Sequence, residues 1–147
     1  MQCTVQWEGH DGMAFTAHTE TGHTLRMDGA PASAPGEPGG HNLAPRPMEM
    51  VLVGTGGCAA YDVVYILKKG RQDVESCSVR LDAERATTDP KVFTRIHMHF
   101  TVSGRGLPIA AVERAVQLSH EKYCSASAML SKTAQMTHSV EVIDRVA

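Results

Sequence analysis

The stretch Pro47-Met48-Glu49-Met50-Val51-Leu52-Val53-Gly54-Thr55-Gly56-Gly57-Cys58-Ala59-Ala60-Tyr61-Asp62-Val63-Val64-Tyr65-Ile66-Leu67-Lys68-Lys69-Gly70 decides the fold. Pro47, with no N–H to leave unpaired, and Glu49, whose carboxylate meets the positive end of a helix dipole, mark a first turn. Lys68 and Lys69 suit the negative end, and Gly70 is the expected stop. A helix over 47–69 is about 33 Å long at roughly 1.5 Å per residue, comparable with the diameter of a small domain. No charged residue lies between Met50 and Tyr61, so the helix is apolar around its circumference and must be covered on every side. Asp62 breaks the run before the roughly 20 apolar residues of a membrane span, so no membrane partner is expected.

Upstream, Cys3, Val5 and Trp7 alternate with Thr4 and Gln6, and runs at Met13 to Thr19 and His23 to Asp28 complete a three-stranded meander. Residues 29–45 carry prolines at 31, 35, 38 and 45 and glycines at 29, 36, 39 and 40, a loop long enough to be a lid or binding segment, or else disordered. Downstream, Cys77, Val79 and Leu81 form one face of a strand. A longer strand places Val92, Thr94, Ile96, Met98, Phe100 and Val102 on one face and Arg95, His97 and His99 on the other. Leu107-Pro108 opens a second helix with Ile109, Val112, Val116 and Tyr123 at helical spacing. A helical piece from Ser125 to about Thr133 and a strand from His138 to Val146 close the chain. The order βββ-α-ββ-α-α-β is α+β, with the long helix packed on an antiparallel sheet.

One sheet covers one side of the central helix, and an amphipathic second helix covers only part of the rest. The expected remainder is a second copy of the same helix, approached closely at Gly54, Gly56 and Gly57, in a two-fold homodimer. The chain has 147 residues, 20% charged and 42% hydrophobic, with a net charge of -2, which is the profile of one globular domain over 1–147. Without a basic stripe, nucleic acid is not an expected partner. The opening residues lack a basic leader and an apolar run, so a cytoplasmic setting is expected.

In that reducing setting a disulfide scaffold is not expected, and cysteines 3, 58, 77 and 124 form no CxxC pair of the zinc or thioredoxin kind. No cofactor and no metal site is expected. His97 and His99 could bind a metal with His18 or His23, but a solvated outer sheet face is the favoured reading. Cys3 and Cys77 fall on apolar strand faces and read as core. Cys58 lies about eleven residues into its helix, beyond the help of the dipole, so any activation falls to neighbours. Its face carries Val51, Gly54, Thr55, Tyr61, Asp62 and Tyr65; the plain alternative is inert packing. If the second helix breaks at Tyr123, Cys124 stands just before a new helix, with His120 as a candidate base; equally, Cys124 is a small core residue.

The segment Arg46 to Val64 resembles the thiol helix of the OsmC/Ohr family, the osmotically inducible and organic-hydroperoxide-resistance proteins. Ser119-His120-Glu121-Lys122-Tyr123-Cys124-Ser125-Ala126-Ser127 resembles that family's second cysteine motif. Element order, the proline-rich loop and Ile66 to Val74 look closest to the YhfA-like branch. The resemblance implies an intertwined homodimer and a thiol-dependent peroxidase acting on small organic hydroperoxides in oxidative stress defence. Cys58 would be the nucleophile, Cys124 the resolving thiol, and an external dithiol the reductant. The family's peroxidases add an arginine near the N-terminal strands and a glutamate directly after the helix-opening proline. Here Met48 follows Pro47, and the carboxylate is Glu49, on a regular helix about 180° from Cys58. His10, Arg26 and Arg46 are candidates for the basic partner. The rival from another class is a non-catalytic protein holding a small apolar ligand.

Overall fold

The computed structural model describes residues 1–9 and 11–145, so His10 and Val146, both named above, lie outside the described residues. The chain falls into two compact units, Met1–Val53 and Gly54–Ala147, taken in turn.

In the first unit β1 (Cys3–Trp7), β2 (Phe15–Thr19) and β3 (Thr24–Met27) form the expected antiparallel meander. Cys3 pairs with Thr19 and Phe15 with Met27. The indole of Trp7 donates to the Gly12 carbonyl at 3.1 Å across the first turn. Of the strand residues only Ala17 is buried. Cys3 is exposed, which corrects its reading as core: alternation assigns a face, but among the described residues of this unit nothing buries that face of β1.

The 29–45 loop is ordered around one buried carboxylate. Asp28 accepts the amides of Gly29 (2.7 Å), His41 (3.1 Å) and Leu43 (3.0 Å), and its own N–H donates to the Pro45 carbonyl. These bonds, the one from Leu43 foremost, hold the Asp28 carboxyl below the ordinary aspartate range against the opposing effect of burial. A side chain at Gly40 would collide with the Gly29 carbonyl and the Asp28 carboxylate, so the loop closes only with glycine there.

Helix α1 spans Pro47–Lys69, the bounds expected. In the second unit its buried stripe is Thr55, Gly56, Ala59, Val63 and Leu67. By length and composition it could cross a membrane, a test that a buried core helix also passes. A Cβ at Gly56 would stand 2.7 Å from Leu81 and 3.3 Å from Val79, so this glycine admits the chain's own sheet. A Cβ at Gly54 or Gly57 would meet nothing within 4 Å among the described residues. The three glycines expected at a close approach therefore divide: Gly56 faces the chain's own sheet, and Gly54 and Gly57 are open. The helix ends at Lys69, and the left-handed residue that closes it stands one place beyond Gly70: Arg71 has φ 57°, and Gln72 N–H returns to the Leu67 carbonyl at 3.0 Å.

The second sheet runs β4-β5-β6, with β4 at Asp73–Arg85, β5 at Phe93–Arg105 and β6 at Gln135–Asp144. The β4–β5 pair is antiparallel, but β6 lies parallel to β5. The sheet is therefore mixed, because α2 (Ile109–Leu118) and α3 (Ser125–Leu130) carry the chain back as a crossover. A bulge between Glu84 and Arg85 leaves Thr94 outside the register, which puts Phe93 in the core beside Ile96, Met98, Phe100 and Val102. Val92 and Thr94, expected on that face, are exposed. Val112, Ala115 and Val116 are buried on α2, whereas Ile109 and Tyr123 are exposed: the helical spacing ends before Tyr123 because the helix itself changes there.

Candidate functional site

After Leu118 the α-helical ladder widens into a π-helical turn, Ser119–Tyr123, closed by Cys124 N–H on the Ser119 carbonyl at 2.8 Å. Cys124 is extended (φ -71°, ψ 99°), and α3 begins after it. The break expected at Tyr123 is thus present. Its geometry aims Cys124 at α1, where the sulfurs of Cys58 and Cys124 and a carboxylate oxygen of Asp62 all lie within 4.8 Å of one another.

Two serines fix this cluster. Ser119, 1% exposed, donates its hydroxyl to Asp62 Oδ2 at 3.0 Å, with the Ala59 carbonyl at 3.5 Å as a second acceptor. This ties the π-turn to α1 one helical turn from Cys58. Ser127 donates its amide (3.4 Å) and hydroxyl (3.1 Å) to Cys124 Sγ, so the sulfur caps α3 where an oxygen usually would. Sequence reading passed over both serines. Ser127, three residues after a helix-breaking cysteine, was legible as the donor to a cap at Cys124; nothing local signalled Ser119.

The two thiols differ in environment. Cys58 is half-buried, whereas Cys124 is 2% exposed. Burial pushes the Cys124 thiol up, the Ser127 hydrogen bonds pull it down, and the neighbouring Cys58 sulfur pushes it up again; the net direction is upward. Cys77, half-buried on β4, is also pushed up by burial.

The other candidates are placed elsewhere. Glu49 accepts the Arg46 backbone N–H at 2.8 Å and so closes the start of its own helix. Arg26 holds Glu8 through two hydrogen bonds, 2.9 and 2.7 Å, and Thr16 donates to the same carboxylate. The His120 ring lies 5.4 Å from that of His138, and its buried Nδ1 has no hydrogen-bond partner among the described residues. His138 was not singled out from the sequence. It pairs with Met98 in the β5–β6 register but is itself exposed, and partial desolvation, followed by His120 and His97, lowers its pKa. On the opposite face His97 meets the hydroxyls of Thr137 and Ser139, and His99 that of Ser139. Among the described residues neither belongs to a group of three metal-ligating side chains.

Beside the thiols, a groove of about 660 Å³ runs along α1, lined by Tyr61, Asp62, Tyr65, Ile66, Leu118 and Tyr123 among others. Its apolar walls suit an alkyl group, and Asp62 belongs to both groove and cluster.

An OsmC-like protein family model matches residues 39–139, which contain both thiols. Protein YhfA of Escherichia coli strain K12 is 49% identical over 143 residues, 97% of this chain and 98% of that protein. A hypothetical protein from Aquifex aeolicus, known from its crystal structure, is 26% identical with a TM-score of 0.76 over 97% of each chain. An organic hydroperoxide resistance protein OsmC from Legionella pneumophila is 22% identical with a TM-score of 0.63, over 95% of this chain and 97% of that one, a likeness of fold. With motif, topology and full-length similarity in agreement, the chain belongs to the family of OsmC-like proteins.

Proposed function

We propose that this protein is a cytoplasmic, homodimeric thiol peroxidase that reduces small organic hydroperoxides, with Cys58 as nucleophile and Cys124 as resolving thiol. The observation that carries the reading is the pair of sulfurs within 4.8 Å, one half-exposed and one buried. The Cys58 thiolate attacks the outer oxygen of ROOH; the O–O bond breaks, the alkoxide takes a proton and leaves as ROH, and Cys58 becomes a sulfenic acid. The Cys124 thiol displaces its hydroxyl as water, forming the disulfide, which an external dithiol reduces. Burial of Cys124 suits the second role, because a resolving thiol reacts only after the first step. The groove beside α1 would seat the alkyl group. Glu49, expected among the catalytic residues, acts in this reading through the helix start that it closes.

Support for the dimer comes from α1, where Tyr61 and Tyr65 stack at 6.3 Å while 71% and 57% exposed, and where Gly54 and Gly57 stand open. A 23-residue helix with such a face would otherwise meet water. Peptide mapping after one equivalent of an organic hydroperoxide tests the pairing. A Cys58–Cys124 crosslink with Cys3 and Cys77 reduced supports it; separate sulfinic acids at the two positions contradict it. The groove also favours the second reading, a non-catalytic protein that binds a small apolar ligand there. In that case Cys58 consumes no peroxide faster than a free thiol.

A further inference from the structure

Peroxide chemistry uses two sulfurs and leaves Asp62 without a part. Yet the Asp62 carboxylate belongs to the same cluster, with its ligating oxygen and both sulfurs mutually within 4.8 Å. We propose that Cys58, Asp62 and Cys124 form a binding site for a thiophilic divalent cation of the zinc type.

The donor set is two sulfurs and one oxygen, which suits zinc, a borderline-soft ion that takes thiolate and carboxylate together in tetrahedral sites. Hard cations such as magnesium and calcium prefer oxygen alone. Cys58 and Asp62 are four residues apart on α1 and project from one face. The π-turn delivers Cys124 from the other side. Ser119 holds one oxygen of Asp62 at 3.0 Å, and hydrogen bonding of a ligating carboxylate is the arrangement that orients it toward a metal. Three protein ligands leave a fourth position for water or a small ligand entering from the half-exposed Cys58 side.

Binding replaces two thiol protons by the cation: two RSH and Zn²⁺ give the zinc dithiolate and two H⁺. Both sulfurs are then shielded from disulfide formation. Where the peroxidase reading holds, a hydroperoxide reverses the state: ROOH, two H⁺ and the zinc dithiolate give ROH, water, the disulfide and free Zn²⁺. The site thus links thiol oxidation to metal release, but metal binding itself rests only on the three ligands.

The test is a titration of the reduced, tag-free protein with Zn²⁺ against a chromophoric chelator, together with Co²⁺ absorption spectra. One Zn²⁺ per chain, two protons released and a sulfur-to-cobalt charge-transfer band are expected. Cys58→Ser, at a half-buried position, should abolish the band, and Asp62→Asn should weaken affinity by more than the roughly 10- to 100-fold that loss of an outer partner costs, with the band retained. His97→Asn should bind as the wild type does. No binding at micromolar Zn²⁺, or undiminished binding by the Cys58→Ser or Asp62→Asn protein, overturns the proposal. Because these readouts involve no peroxide, failure of the peroxidase reading leaves the result interpretable.

Discussion

The hydroxyl of Ser119 donates to Asp62 at 3.0 Å and thereby fastens the π-turn that carries Cys124 to the helix that carries Cys58. Ser119 is 1% exposed, so the bond is shielded from water. Ser119→Ala leaves a part-buried carboxylate without this donor, which should cost about 1–3 kcal/mol. Urea unfolding measures the loss, and stopped-flow oxidation should show slower disulfide formation as the cluster loosens. An unchanged midpoint and unchanged rate would contradict the fastening role.

Asp28 makes the long loop sensitive to acid. Its folded pKa is lowered, chiefly by the Leu43 amide, so the carboxylate's stabilisation is complete above the unfolded value of about 3.9. It fades below that value and is gone once the pH falls through the folded one. Protection of the His41 and Leu43 amides, relative to their intrinsic exchange rates, should therefore fall only below about pH 3.9, before the second sheet is affected. In Asp28→Asn both amides should exchange fast already at neutral pH. Equal protection in the two proteins would remove Asp28 as the anchor.

A dimer is expected at micromolar concentration. Tyr61 and Tyr65 on α1 and, in the first unit, Val5 (53%), Trp7 (51%) and Val53 (61%) are all exposed in the single chain. Apolar exposure on this scale is the reason to expect a partner. Sedimentation should give twice the 15.8 kDa chain mass, and a monodisperse species of one chain mass would contradict it.

Glu49 is expected to matter for the helix more than for the chemistry. Its carboxylate closes the first turn on the Arg46 amide, so Glu49→Ala should cost about 1 kcal/mol, as loss of a cap does. Glu49→Gln keeps an acceptor and should retain most stability and most peroxide consumption. A loss of activity by several orders of magnitude in the stable Gln variant would return Glu49 to the reacting centre.

How far the sequence could be read follows from where each signal is stored. Helix α1 was legible to both ends because proline, glutamate, the lysine pair and Gly70 are local signals, although Arg71 supplies the left-handed turn. The meander and both long strands were legible from alternation. The Thr94 bulge was not, since a bulge is a property of two strands at once. The parallel placement of β6 was hidden for the same reason: alternation fixes faces and is silent on direction. Motif and helix break pointed to Cys58 and Cys124. Ser119 and His138 escaped because their partners, Asp62 and His120, lie far along the chain. Cys3 was misread because a face named apolar by its pattern is buried only if something covers it.

The division of labour between the two thiols is the central claim, and single-turnover reduction of cumene hydroperoxide by wild type, Cys58→Ser and Cys124→Ser tests it most directly. Cys58, half-buried beside Asp62, should be required for any consumption, while the buried Cys124 should be required only for the disulfide. The account predicts one equivalent consumed by the wild type with a Cys58–Cys124 bond formed. Cys124→Ser should consume one equivalent and hold a trappable sulfenic acid at Cys58, and Cys58→Ser should consume none above the buffer rate. Equal, slow consumption by the wild type and Cys58→Ser would contradict the account.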